Sequence, residues 1–300
     1  MRFSVLMSLY AKERPEYLRQ SLESVFGQTI KGDEVILVED GPLTPLLDAV
    51  VEEFNRAHPE LKVVSFPKNR GLGLALHDGL EQCSNDIVVR MDTDDIAKPD
   101  RFEKQLAYME SHPEVSVIGC WMDEFYESTD NVLSIKKTPE SSEEIAEYAK
   151  GRNPMNHPSV MFRKKDVEAV GSYQHFPMFE DYLLWAKMIV KGYKMHNLQE
   201  SLMWFRSSPD VYKRRGGWKY ACDEARFQKE LNSLGLITSL LTYKNIIIRF
   251  VVRIMPNKLR KIIYSQLLRE KHQEITPPTC VINWCTPVYK LRELTLRLAS

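Results

Sequence analysis

Between residues 3 and 120 the chain alternates short apolar runs with segments of helical period: FSVLM then PEYLRQSLESVF, EVILV then LLDAVVEEFNRA, LKVVSF then GLALHDGLEQC, DIVVRM then RFEKQLAYMES, and finally VSVIGC. Runs of that length and content read as strands, and the segments of 3.6-residue period as helices. The order is therefore a string of βαβ units, which close into a Rossmann-like, mainly parallel sheet flanked by helices, an α/β fold. Pro15 and Pro99-Asp100 stand where helix starts are expected. In such a sheet a ligand lies outside the carboxyl ends of the strands, so the residues that follow each strand carry the functional information.

Those residues are polar or glycine. Glu39-Asp40-Gly41 follows EVILV, Lys68-Asn69-Arg70-Gly71-Leu72-Gly73 follows LKVVSF, and Asp92-Thr93-Asp94-Asp95 follows DIVVRM. Three carboxylates within four residues repel one another, so they form either a solvated turn or a cluster that shares a cation. Their place on the ligand edge favours the cation for Asp92 and Asp94, while Asp95 reads as helping to start the following helix. Asp92 and Asp94, at i and i+2 on an extended turn, offer hard oxygens to Mg2+ or Mn2+, ions that accept one or two protein carboxylates and fill the rest with phosphate and water. A calcium loop opening at Asp92 fails, because Ala97 occupies the place of the required glycine and Ile96 that of an oxygen ligand. Asp40 suits acceptance of a hydrogen bond from the ring N–H of a base, or else it caps the turn before Pro42. Gly71 and Gly73 either admit a ligand to the backbone amides or shape the loop; neither full phosphate-binding glycine fingerprint occurs.

Composition narrows the class. Lysine plus arginine and aspartate plus glutamate balance at 41 each over 300 residues, so no global field favours nucleic acid. Cys83, Cys120, Cys222, Cys280 and Cys285 are scattered with no CxxC pair, which argues against a disulfide framework and a structural zinc and for a reducing, cytoplasmic setting. The N-terminal apolar run is too short for a secretory segment and reads as a first strand.

Beyond residue 121 the pattern loosens. DEFYESTDNVLSIKKTPESSEEI reads as a polar excursion, NHPSVMF and ESLMWFR as strands, FEDYLLWAKMIVKGY as a helix opened by Glu180-Asp181, and SSPDVYKRRGGWKY as a loop before the helix YACDEARFQKELNSL. From Leu236 to Lys271 there are eight basic residues and one acid, Glu270. Read as a helix, Thr238, Thr242, Asn245, Arg249 and Arg253 form a polar stripe beside a wide apolar arc, and Lys258, Lys261, Ser265 and Arg269 repeat the device after Pro256. Lys244 and Arg249 disfavour a membrane span, since a basic residue near its centre costs about 2.5 to 3.5 kcal/mol. The expectation is a division into a domain of residues 1–235 and an amphipathic helical region of residues 236–300. That region lies in a membrane interface with its basic residues toward anionic headgroups, or else packs on the α/β domain or a second subunit.

The ordered set FSVLMSLYAKERPEYLRQSLESVFGQT, VEDGP, KNRGLGLALHDGL, MDTDD, NHPSVMF and FEDYLLW resembles the family 2 glycosyltransferases, inverting enzymes of GT-A fold that use nucleotide sugars, over about residues 3 to 230. EDGP with a later FR…RRGG resembles the bacterial members that build capsule, exopolysaccharide or O-antigen units on a lipid carrier. By that resemblance Asp40, with Glu39, Asn69 and Gly71, holds the nucleotide, while Asp92 and Asp94 form the DxD element toward ribose and metal-diphosphate. Asp181 is the implied catalytic base, with Glu180 beside it. Arg206, Arg214 and Arg215 counter the diphosphate charge or hold acceptor phosphates, or else form a solvated basic loop, and His157 lines the donor pocket or is structural. EDGP departs from the commoner DDGS, and Pro42 removes an amide and a hydroxyl from any nucleotide contact there.

The resemblance further implies Mg2+ or Mn2+, a UDP-sugar donor, a saccharide or lipid-linked saccharide acceptor, the inner face of the cytoplasmic membrane as a peripheral location, and a homodimer among the partners. Arg215-Gly216-Gly217-Trp218 lacks the glutamine and spacing of the QxxRW element of processive members, so one sugar is added per encounter. Two other classes remain. A catalytically silent scaffold of a polysaccharide assembly complex would not need Asp92, Asp94 and Asp181, and a nucleotidyltransferase would need a glycine-rich, arginine-bearing loop where this chain has SLYAKERPEY.

Overall fold

The computed structural model describes residues 1–207, 217–254 and 270–271. In chain order the elements are β1 (Phe3–Leu9), α1 (Pro15–Phe26), β2 (Glu34–Glu39), α2 (Pro45–Ala57), β3 (Leu61–Ser65), α3 (Leu72–Gln82), β4 (Ile87–Asp92), β5 (Ile96–Ala97), α4 (Arg101–Ser111), β6 (Val115–Tyr126), β7 (Ser128–Lys136), α5 (Ser142–Tyr148), β8 (Met161–Arg163), α6 (Lys164–Glu168), α7 (Glu180–Val190), β9 (Lys194–Arg206), α8 (Trp218–Ser233), α9 (Ser239–Ile254) and β10 (Glu270–Lys271). They build one mixed sheet in the order β10-β7-β6-β8-β4-β1-β2-β3, with β9 on β6 and β5 on β9.

The expected parallel half is there: β1 pairs in parallel with β2 and β4, and β2 with β3. Its strands read as continuous apolar runs because both faces are covered. Phe3, Val5, Met7 and Leu9 of β1 pack with α1, α2 and α4, whereas Leu6 joins Ala75, Leu76 and Leu80 of α3 on the other face. A side chain at Gly79 would put its Cβ 2.5 Å from Val38 and 2.6 Å from Leu6, so α3 lies this close to the sheet only because that residue is glycine.

The second half corrects the sequence reading. β6 continues to Tyr126 and turns into β7 as an antiparallel hairpin, where a polar excursion is expected. On β7 only Ser134 is buried, so its side chains are those of a largely solvated strand and carry no apolar signal. NHPSVMF contributes only Met161 and Phe162, the first two residues of β8, to the sheet, since His157–Ser159 form a 3-10 turn. β8 runs antiparallel to β4 and β6, while β9 runs parallel to β6 as far as Phe125↔Arg206.

The polar stripe of α9 faces inward, which is the protein-packed alternative of the sequence reading and not the headgroup-facing one. Asn245 Nδ2 donates to the Lys150 carbonyl at 3.1 Å and to Gln228 Oε1 at 2.9 Å, and Arg249 pairs with Glu224 and the Gly151 carbonyl. Arg253 Nε meets Glu224 Oε2 at 2.6 Å. Glu224, on α8, is 1% exposed, and a carboxylate buried there draws the two arginines beneath the helix. Lys258, Lys261, Ser265 and Arg269 lie outside the described residues. Among the described residues no helix is long and apolar enough to cross a membrane.

Candidate active site

The carboxyl ends of β1, β2 and β4 and the start of α7 bring most of the expected residues to one edge of the sheet. At the end of β2, Asp40 is 3% exposed and its two carboxylate oxygens accept the Arg70 and Gly71 amides at 2.7 and 2.9 Å. Asn69 Nδ2 donates to the Asp40 carbonyl at 3.0 Å. Gly41 has φ +91° and an added Cβ there would lie 2.6 Å from the Asn69 amide, so glycine alone allows the two loops to meet. Glu39 points the other way along the strand end, accepting from Ser65 Oγ at 2.5 Å. Each Asp40 oxygen keeps a lone pair for a further donor.

β4 ends on Asp92, and the turn after it is pinned from three elements. Ser21 Oγ of α1 donates to the Asp92 carbonyl at 2.8 Å, Thr93 Oγ1 donates to the Ser8 carbonyl of β1 at 3.2 Å, and Arg206 Nε of β9 donates to the Asp94 carbonyl at 2.9 Å. Asp95 is fully buried and its Oδ1 accepts the Arg206 amide at 2.8 Å. Asp95 therefore ties β9 to the turn and does not start α4, which opens at Arg101 after an Asp100 that makes no side-chain cap. The Arg206 guanidinium is held over Tyr17 at 4.0 Å and Phe125 at 4.6 Å, with Nη2 on Gln20. Arg214 and Arg215 lie outside the described residues.

The carboxylates of Asp92, Asp94 and Asp95 offer oxygens within 4.8 Å of one another. Burial, then the charges of Asp92 and Glu13, push Asp94 up to about 7. Burial and its two aspartate neighbours push Asp95 well above the carboxylate range, and Asp95 Oδ2 is buried without a partner among the described residues. Such a set is deficient in positive charge, and its donors are all hard oxygens, which is what Mg2+ or Mn2+ takes. The residues present thus fit a divalent cation on Asp92 and Asp94.

One cation of the chain's own stands beneath the cluster. Arg90, 1% exposed, pairs through Nη2 with Asp92, while its Nε and Nη1 have no partner among the described residues. Its charge also favours ionisation of Asp95, Glu180 and Asp181, so it links the turn to the start of α7. Sequence reading missed it, although a charge between two buried residues of an apolar strand is itself a signal that a partner lies nearby. Glu13 was missed as well, and burial followed by the charge of Asp92 raises its pKa against the opposing Arg14 amide.

Glu180 and Asp181 open α7, where the helix dipole favours negative charge. Asp181 accepts Asn153 Nδ2 at 2.5 Å; burial raises its pKa, and this bond and the Tyr182 amide oppose the rise. Burial and then the Asp181 charge raise Glu180 to about 7. Of the pair, Asp181 is the one whose anion the Asn153 amide favours. His157 is buried, its Nε2 3.1 Å from the Tyr173 hydroxyl, and burial followed by the charge of Arg90 keeps it neutral, which makes it a structural neighbour of the site.

The model of the family described as "Glycosyl transferase family 2" matches residues 4–171. An amylovoran biosynthesis glycosyltransferase, AmsE, of Erwinia amylovora is 44% identical over 88% of this chain and 98% of its own length. A UDP-Gal:alpha-D-GlcNAc-diphosphoundecaprenol beta-1,3-galactosyltransferase of Escherichia coli is 38% identical over 89% of this chain and 97% of its own. Among solved structures, S. aureus TarS 1-349 in complex with UDP-GlcNAc superposes with TM-score 0.62 at 18% identity, covering 89% of this chain and 73% of that one. A mannosyltransferase from Pyrobaculum calidifontis in complex with GDP-Man and Mn2+ gives TM-score 0.57 at 14% identity, covering 99% and 80%. These two likenesses bear on the fold, and the fold is of the GT-A kind.

Proposed function

Since the chain belongs to glycosyl transferase family 2, we propose that it transfers a single sugar, with inversion, from a UDP-sugar to a lipid-linked saccharide during bacterial surface polysaccharide synthesis, at the inner face of the cytoplasmic membrane. The observation that carries the reading is the set of three carboxylates within 4.8 Å at the end of β4, with Arg90 paired to Asp92 and its charge also favouring the anions of the acidic pair at the start of α7. The relative whose name pairs UDP-Gal with alpha-D-GlcNAc-diphosphoundecaprenol supports the donor and acceptor classes at 38% identity.

Asp92 and Asp94 would hold Mg2+ or Mn2+, which supplies positive charge against the departing diphosphate. The chain's own residues do the rest. Asp40 presents its remaining lone pairs to the base, and the amides of Arg70 and Gly71 fix its carboxylate in place. Arg206 positions the turn through the Asp94 carbonyl and the Asp95 carboxylate. Asp181, oriented by Asn153, takes the proton of the acceptor hydroxyl as that oxygen bonds to the anomeric carbon and the nucleotide leaves. Positioned base catalysis of this kind contributes on the order of 10² to 10⁴-fold.

The test uses UDP-galactose, Mn2+ and a synthetic GlcNAc-diphosphate-lipid acceptor, with product linkage read by NMR. Wild type yields a β-linked disaccharide, and Asp94→Asn loses about 10²-fold or more in rate. Equal turnover by the two proteins would remove the metal from the reading. An inert wild type that also binds no UDP by calorimetry would favour the scaffold alternative.

A further inference from the structure

Because the polar stripe of α9 faces the protein, its apolar arc faces out. Leu240 is 82% exposed, Tyr243 67%, Ile247 65%, Ile248 47% and Val251 44%. With Lys244 these positions follow the i, i+3, i+4, i+7, i+8, i+11 repeat of a single helix face. Trp218, 68% exposed at the start of α8, extends the patch through Phe250, whose ring it meets edge to face at 5.0 Å. The helix cannot roll to hide this face, since Asn245, Arg249 and Arg253 are anchored on Gln228, Glu224 and the carbonyls of Lys150 and Gly151. A contiguous run of large exposed apolar side chains marks an interaction surface.

We propose that this face of α9, with Trp218, docks on a bilayer that carries anionic phospholipid. Charge selects that occupant. Lys244 projects from the middle of the stripe and Lys219 stands beside Trp218, both exposed, and α9 contains no acidic residue. Leu240, Ile247, Ile248 and Val251 enter the acyl boundary, Trp218 and Tyr243 sit at headgroup level, and the lysines extend their stems to reach phosphates. A second copy fits worse, because a two-fold contact would set this face, with Lys244 at its middle, against an identical one whose α9 offers no carboxylate to receive it. The attachment is thus apolar with a basic accompaniment, and the arginines of the stripe serve the fold instead of the headgroups.

This rests on the membrane-face placement proposed above and names the surface responsible for it. The experiment floats the full chain with phosphatidylcholine vesicles, with and without about one-third phosphatidylglycerol. Wild type is expected to float with the anionic vesicles. A triple variant, Ile247→Ser, Ile248→Ser and Val251→Ser, should bind them about tenfold or more weakly. Lys244→Glu should lose binding to anionic vesicles selectively. All three side chains of the triple variant are solvent-facing, so its melting temperature and donor hydrolysis should match wild type. Should the triple variant float as well as wild type, the surface assignment falls while the membrane placement stands. If wild type floats with neither vesicle, both fall. A wild-type dimer that the triple variant dissociates, with no flotation, would make the face a subunit interface and overturn the proposal.

Discussion

Removing the Asn153 amide takes from Asp181 a hydrogen bond that favours its anion, and the direction of the effect on proton transfer follows from that sign. The bond at 2.5 Å and the Tyr182 amide hold down a pKa that burial raises. In Asn153→Ala the Asp181 pKa rises further, so the acid limb of kcat/KM moves to higher pH and the variant loses more rate at pH 6 than at pH 8. A pH–rate profile checks it, and a limb that stays in place would mean that Asp181 is not the base. Asp92, Asp94, Glu180 and Asp181 were legible because acidic residues crowded at a strand end or helix start are chemically conspicuous. Asn153 was not, since one asparagine in a loop has no spacing to read and acquires meaning only from the residue it faces, 28 positions on. Asp95 misled for a related reason: a carboxylate shortly before a helix looks like a cap until β9 supplies the amide that it accepts.

At the level of elements, the amphipathic pattern of α9 was readable and its orientation was not. Periodicity states that one helix face differs from the other, but which face meets protein depends on what the partner offers, and here the partner is Glu224, 25 residues before Arg249. Replacing Glu224 with glutamine removes the carboxylate that Arg249 and Arg253 share, a loss on the order of 3 kcal/mol. The cost should fall on α9 first. Limited proteolysis of Glu224→Gln is expected to cut within residues 239–254 earlier than in wild type, while cleavage in the parallel half keeps its wild-type rate. The β6–β7 hairpin escaped notice because the outer strand is solvated on most of its length, so pairing and not burial defines it.

For the whole molecule, a divalent cation that binds only the folded chain raises stability by mass action, about 2.7 kcal/mol at 100 times its dissociation constant. Asp94, raised to about 7, must lose its proton for the ion to bind, so protons compete below that value and cease to above it. Mn2+ should therefore raise Tm more at pH 8 than at pH 6, and Asp94→Asn should abolish the difference in a calorimetric scan. The parallel half was legible as a unit because local runs of strand and helix repeat there. The mixed half was not, because β6, β8 and β9 pair across long stretches of sequence. That separation has a consequence for how the protein is made. β1 to β4 lie within the first 92 residues, whereas the Arg206 amide that fastens Asp95 is 111 positions later. At bacterial synthesis rates this gap amounts to roughly 6 to 20 s of translation. The sheet edge thus emerges from the ribosome well ahead of its own clasp, and the acidic turn takes its final shape only when the last long strand arrives.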